Sequence, residues 1–388
     1  MNVNKRFFQF CLFCFIAMAV QGQIHVKDKP YSFKNKLQKR EVQLKHTPQI
    51  DSSKIAEEDK NDTKNGLPPR FGIPFPVNYD LENSGTWTIL PDSSRLWELT
   101  IACNKSLSIN LLFDKFWLPD SAKFYIYNEQ KSQVLGAFTS ANNKGTKENP
   151  DAFATGLVYG DTIHLELFEP KKLQGKSAIS ISTIVHGYRY ITVNKANEPY
   201  LNTAGPCNIN INCTEGTEWQ TEKGGITLIL VGGVRLCTGC LINNTAQDGT
   251  PYLLTANHCL QTVQTWDAET NPNANTWTFM WNYESPDCMN QDAINVSTTS
   301  GATVVANGSN CDFALLRLSE SPNNIPAIYY CGWDRTGNTP DFSVGIHHPR
   351  NDIKKISIDN DPPEITGYDT NICSNLAPVG NTHWRVIN

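Results

Sequence analysis

The stretch Tyr252-Leu-Leu-Thr-Ala-Asn-His258-Cys259 decides how this chain is read. Its first four residues suit a short strand, and the strand stops at a polar turn that presents His258 directly beside a cysteine. A second stretch, Asn310-Cys-Asp312-Phe-Ala-Leu-Leu316, opens on a carboxylate and runs on as a buried strand. A charge at the mouth of such a strand is costly unless it is paired, and an imidazole N–H is a suitable partner. The two stretches therefore supply a candidate general base, His258, and a candidate carboxylate, Asp312, to fix its tautomer. The third member of such a set, a serine on a Gly-x-Ser-Gly turn, is not found in the 388 residues. Its absence is read as sequence lying beyond Asn388 rather than as lost chemistry.

Cys237 and Cys259 flank this turn and fall on adjacent strands joined by a loop. A bridge between them would restrict the unfolded chain by about 3 kcal/mol and would pin the turn that carries His258. Of the 12 cysteines, Cys11 and Cys14 lie near the N-terminus and Cys103 in the first half, while nine fall between Cys207 and Cys373. In an exported protein such density means disulfides.

Residues 1–22 have the form of a secretory signal, with Lys5 and Arg6 ahead of the apolar run Phe7–Val20 and small residues at its end. That run is too short for a confident membrane span, so the chain is expected to be secreted, with no membrane anchor. A formal net charge of -5 argues against a nucleic-acid partner. Charged residues make up only 18% of the chain beside plentiful aromatics, which suits an all-β exported protein.

Between the signal and residue 66 the composition is polar with little apolar periodicity, so 23–66 is expected to be a flexible or loosely helical leader. Residues 67–193 alternate in short runs, such as Trp97-Glu-Leu-Thr-Ile101 and Thr162-Ile-His-Leu-Glu-Leu167, and predict a β-sandwich. His164 and His186 within it read as structural. Residues 194–205 read as a linker or processing site, and 206–388 as a second β domain. In that domain Trp277-Thr-Phe-Met-Trp-Asn-Tyr283 puts an aromatic at every second position, on one face of a sheet. Further strands are expected near Ile328, Phe342, Lys355 and Trp384.

From Cys207 onward the chain resembles the secreted bacterial lysyl endopeptidases of the trypsin-like superfamily. The resemblance rests on Cys-Asn-Ile-Asn-Ile-Asn-Cys (207 to 213), Cys-Thr-Gly-Cys-Leu-Ile-Asn-Asn-Thr-Ala (237 to 246), Leu-Thr-Ala-Asn-His-Cys (254 to 259), Asp-Phe-Ala-Leu-Leu (312 to 316), Gly-Trp-Asp-Arg (332 to 335) and Ile-His-His-Pro (346 to 349). It implies a chymotrypsin-like double β-barrel, here incomplete: the first barrel and the start of the second. It further implies catalytic roles for His258 and Asp312, bridges Cys237 with Cys259 and Cys213 with Cys288, and a substrate-facing aromatic for which Tyr368 is the candidate. Cys207 would pair with a cysteine beyond the 388 residues. Cys240, Cys311, Cys331 and Cys373 are additional to the family pattern, and their pairing is left open: Cys311 and Cys331 could be bridged to one another, or either to Cys240.

The resemblance implies polypeptide substrates cleaved after Lys, or after Lys and Arg, and no cofactor. The sandwich resembles the long β-rich pro-regions of these proteases, so it is expected to act as an intramolecular inhibitor or folding aid. His347 and His348 could recruit a metal with His258, but a His-His-Pro at a strand end reads as a packed turn, and no metal is expected. The competing reading is a secreted, inactive binding or adhesion protein in which the protease-like half is a degenerate scaffold.

Overall fold

The structure is a computed structural model that describes residues 28–37, 40–189, 191, 204–205, 207–260, 274–293, 296–309, 311–367 and 383–386. Strands dominate it, and the fold is all-β. The signal, most of the 194–205 linker, Tyr368 and Cys373 lie outside the described residues.

Two sheets build the first half. One orders Leu44–His46, Arg95–Ala102, Thr162–Glu169, Lys123–Asn128 and Val134–Phe138, with Thr86–Ile89 also on Arg95–Ala102. The other orders Gly72–Asp80, Ala178–Gly187, Ser108–Trp117 and Asp151–Ala154. Inward residues of both, among them Leu99, Ile126, Leu165, Phe113, Phe116 and Ile181, form one buried cluster, as alternating strands facing across a sandwich must. The buried phenylalanines meet edge-on or offset, as with Phe113 against Phe124 and Phe116 against Phe153.

The leader is more ordered than its composition suggests. Leu44–His46 joins Arg95–Ala102 as a parallel edge strand, and Arg40 pairs with the Glu98 carboxylate. Ser52–Lys64 is a helix whose start is fixed by Asp51, which accepts from the Ser53 and Lys54 N–H groups. Only Ile55 of this helix is buried, so the apolar periodicity that announces a helix is almost absent. Polar contacts hold it instead: Asp59 takes the Tyr188 hydroxyl and Arg189, and both Asp59 and Glu58 take Arg70.

A curled seven-stranded sheet builds the second half. Its strands are β1 (Ile226–Val231), β2 (Arg235–Ile242), β3 (Tyr252–Thr255), β4 (Thr278–Trp281), β5 (Ser297–Ser300), β6 (Ala302–Gly308) and β7 (Phe313–Leu318), in the order β5-β4-β1-β2-β3-β7-β6. Trp277, Phe279 and Trp281 point to one face and pack with Leu241, Leu253 and Leu316. Further on, Ile209–Asn210, Lys355–Asp359 and Ser343–His347 form a small sheet, and Glu364–Thr366 pairs with His383–Arg385. The strand expected near Ile328 does not form. That segment is loop until Cys331 makes a single bridge to Ile242, because Pro322, Pro326 and the positive φ of Ala327 break regular pairing.

The two halves share both backbone bonds and core. Phe71 N–H donates to Val234 O at 2.9 Å and Leu236 N–H to Pro69 O at 3.0 Å, so residues 69–71 extend the β1–β2 hairpin. The hairpin tip packs on the outer face of the second sheet, where Asn110 Nδ2 donates to Gly233 O and Val234 is buried with Leu112, Ala154 and Val185. At φ +73, a side chain on Gly233 would be strained and would strike Asn110 and Leu112, so glycine is required there. Phe71, Leu157 and Ile191 pack with Leu228, Leu230, Met280 and Tyr283 in a single buried cluster.

Candidate active site

Strand β3 ends at Thr255, whose hydroxyl donates to Thr238 O of β2 at 2.8 Å. The chain then makes a single 3-10 turn, Asn257–Leu260, that carries His258 outward while Cys259 points into the core. Cys259 is bonded to Cys237 of β2, so the turn is tied to the sheet close beside the histidine. A second bridge, Cys213 to Cys288, lies away from this turn.

Asp312 occupies the residue before β7 with a φ of +47, a left-handed conformation that an Asp tolerates better than most side chains. Its carboxylate meets the histidine turn at two points. Oδ2 lies 2.7 Å from His258 Nδ1, and Oδ1 accepts the His258 backbone N–H at 2.9 Å. The Asp312 carbonyl takes the Asn257 N–H at 3.1 Å, so backbone and side chain hold one turn together. Only 14% of the Asp312 side chain is exposed, against 33% for His258. A mostly buried carboxylate bonded to Nδ1 keeps the proton on that nitrogen, and leaves Nε2 as the nitrogen able to accept one.

One support of the site carries no sequence signature. Asn307 of β6 donates from Nδ2 to Asn257 Oδ1 at 2.8 Å, bracing the turn from the end of that strand. Asparagines are too common at strand ends and turns for the pairing of two that lie 50 residues apart to be read in advance.

Cys237, His258 and Cys259 offer donor atoms within 4.8 Å of one another. Both sulfurs are committed to the disulfide, however, and neither is a thiolate ligand in this state. His348 is buried, stacks on Tyr283 at 5.7 Å, and donates from Nδ1 to the Asp352 carbonyl at 2.9 Å. Burial, with the neighbouring Lys354 charge, pushes it down to about 3. Its backbone N–H reaches Thr238 Oγ1, which docks the His-His-Pro turn onto β2. Tyr368, the candidate substrate-facing aromatic, lies outside the described residues.

The lysyl endopeptidase C-terminal domain family matches residues 201–386, a span that contains the whole of this geometry. This segment belongs to the lysyl endopeptidase family. A curated relative, the lysyl endopeptidase of Pseudomonas aeruginosa, is 29% identical over 325 residues. The match covers 76% of this chain and 66% of that relative, so the chain spans a little under two thirds of its length. An alignment of 325 residues cannot fit within 201–386, so it takes in part of the sandwich as well. The lysyl endopeptidase relationship and the disulfides together point to an oxidising, extracellular setting.

Proposed function

We propose that the chain is the N-terminal part of a secreted serine endopeptidase precursor, in which His258 is the general base and Asp312 its orienting carboxylate. The observation that carries this reading is the double hold of Asp312 on His258, at ring and backbone. In the reaction, Nε2 of His258 takes the proton of an attacking serine and then gives it to the leaving amine. Asp312 stabilises the imidazolium that forms between those steps. Backbone N–H groups around the serine bind the oxyanion of the tetrahedral intermediate.

The serine itself is to be supplied by a Gly-x-Ser-Gly turn C-terminal to Asn388. The 388 residues hold no such turn, and the chain alone is expected to be inactive. Cleavage after lysine is the specificity proposed, on the name of the Pseudomonas aeruginosa relative. For the sandwich we propose a pro-region role: it supports the β1–β2 hairpin during folding and is released by cleavage within 194–205. The exposure left to His258 favours a folding role over direct occlusion of the base.

Expression of the complete reading frame tests the proposal. A Gly-x-Ser-Gly codon run after residue 388, with hydrolysis of lysyl peptides abolished by His258→Ala, is the expected result. A stop codon at 389, or hydrolysis indifferent to His258, would overturn it.

A further inference from the structure

We propose that Cys240 and Cys331 form a third disulfide, joining strand β2 to the segment that leads to Trp333. The backbone sets the pair up. Strand β1 begins at Ile226, which pairs with Cys240, so beyond Cys240 the β2 edge has no β1 partner. Cys331 fills that edge: its N–H donates to Leu241 O at 2.9 Å, and its carbonyl accepts from Asn243 N–H at 2.9 Å. The result is a parallel bridge of Cys331 with Ile242. Residues opposite each other in a ladder project to the same face, and so do residues two apart on one strand. Cys331, Ile242 and Cys240 therefore share a face, with the two sulfurs on neighbouring strands.

Side-chain observations agree. Each thiol donates to a backbone carbonyl, Cys240 to Leu241 O and Cys331 to Glu222 O at 3.7 Å, and the two thiols lie near enough to perturb one another, Cys240 upward and Cys331 downward. A Cβ at position 225 would lie 2.6 Å from the Cys331 sulfur, so the glycine there is what admits it. Among the described residues the other cysteines outside the two disulfides are placed elsewhere. Cys103 is buried in the sandwich core, and Cys207 and Cys311 are exposed. Cys311 precedes Asp312 at the β6–β7 connection, with β3 lying between β7 and the β2 strand of Cys240.

Closure is a two-electron oxidation. The Cys240 and Cys331 thiols give up two protons and two electrons as their S–S bond forms, and a disulfide oxidant, protein-borne or small, is reduced to two thiols. Cys237, on the same strand, already ties β2 to the histidine turn. The third bridge would tie β2 at its other end across a chain loop of about 90 residues, the long-loop case in which a crosslink constrains the unfolded state most.

The test is peptide mapping of the purified, exported full chain, alkylated under denaturing conditions without reductant. A linked pair of peptides containing Cys240 and Cys331 is expected; both thiols alkylated, or either linked to another cysteine, would overturn the proposal. Cys240→Ser gives an independent reading by thiol count. A bridged pair makes the count rise by one, because Cys331 is released, while a free pair makes it fall by one. Mapping of the unmodified chain decides the matter even where the variant does not fold.

Discussion

Asp312 grips His258 at ring and backbone together, with Oδ2 at 2.7 Å from Nδ1 and Oδ1 at 2.9 Å from the His258 nitrogen. Asp312→Asn separates the two functions. An amide oxygen can still take the backbone N–H, so the turn should stand, but the amide NH₂ facing Nδ1 favours the wrong tautomer. In the protein carrying the serine turn, kcat for a lysyl peptide should fall by about 10⁴-fold with little change in stability. Paired kinetic and thermal measurements check this; a variant that loses stability in step with activity would make Asp312 a structural residue.

Arg235 couples the two halves. It is buried at the hairpin base, with Nη1 donating to Pro68 O and Nη2 to Asp62 Oδ2, each at 2.7 Å. Arg235→Ala removes the cation and leaves a carbonyl and a carboxylate without it, at a cost of about 3–5 kcal/mol. Asp62→Asn removes the counter-charge of a buried cation but keeps an oxygen for Nη2 and leaves the Pro68 bond intact, so it should cost less, roughly 2–3 kcal/mol. Urea unfolding of the two variants measures the difference. Equal effects would mean that the arginine is not the linchpin of this interface.

The parts legible in the sequence are those with a local signature. The histidine turn follows an apolar strand and precedes a cysteine, and Asp312 opens a run of apolar residues; both patterns are set by neighbours in the chain. Arg235 had no such mark. A charged residue two positions after Gly-Gly looks like a solvated turn until Asp62 and Pro68 arrive from far away in sequence. The helix Ser52–Lys64 was equally hard to see, since it buries only Ile55 and is held by carboxylates. The strand expected near Ile328 failed for the opposite reason: β-favouring Ile328, Tyr329 and Tyr330 directly follow Pro322, Pro326 and a left-handed Ala327.

Glu284 holds two lysines, with Lys223 at 2.7 Å and the fully buried Lys354 at 3.1 Å. Burial alone would raise the Glu284 carboxyl, but the two ammonium groups outweigh it and hold the carboxyl below its ordinary value. Glu284→Gln leaves a buried ammonium without its counter-charge, and a loss of about 3–5 kcal/mol is expected. Adding Lys354→Met should recover part of that loss, because the fully buried ammonium is gone and the remaining Lys223 keeps Asn212 Oδ1 and some solvent contact. Denaturant titration of both measures it, and a double variant no more stable than the single would refute the charge argument.

His348 should make the fold acid-sensitive. Burial and the nearby Lys354 push its imidazole down to about 3, from an ordinary value of 6.5. The native state therefore keeps it neutral while the unfolded chain protonates it below 6.5. Its contribution is fully present above that pH and is lost progressively as pH falls towards 3. The slope is about 1.4 kcal/mol per pH unit, so about 2 kcal/mol is lost between pH 7 and pH 5. His348→Gln can still donate to the Asp352 carbonyl but has no proton to gain. Wild type should exceed the variant most at neutral pH, with the gap closing by that amount at pH 5, since the other titrating groups are common to both. Unfolding free energies at the two pH values measure the gap, and parallel curves would show that His348 does not titrate in the unfolding equilibrium.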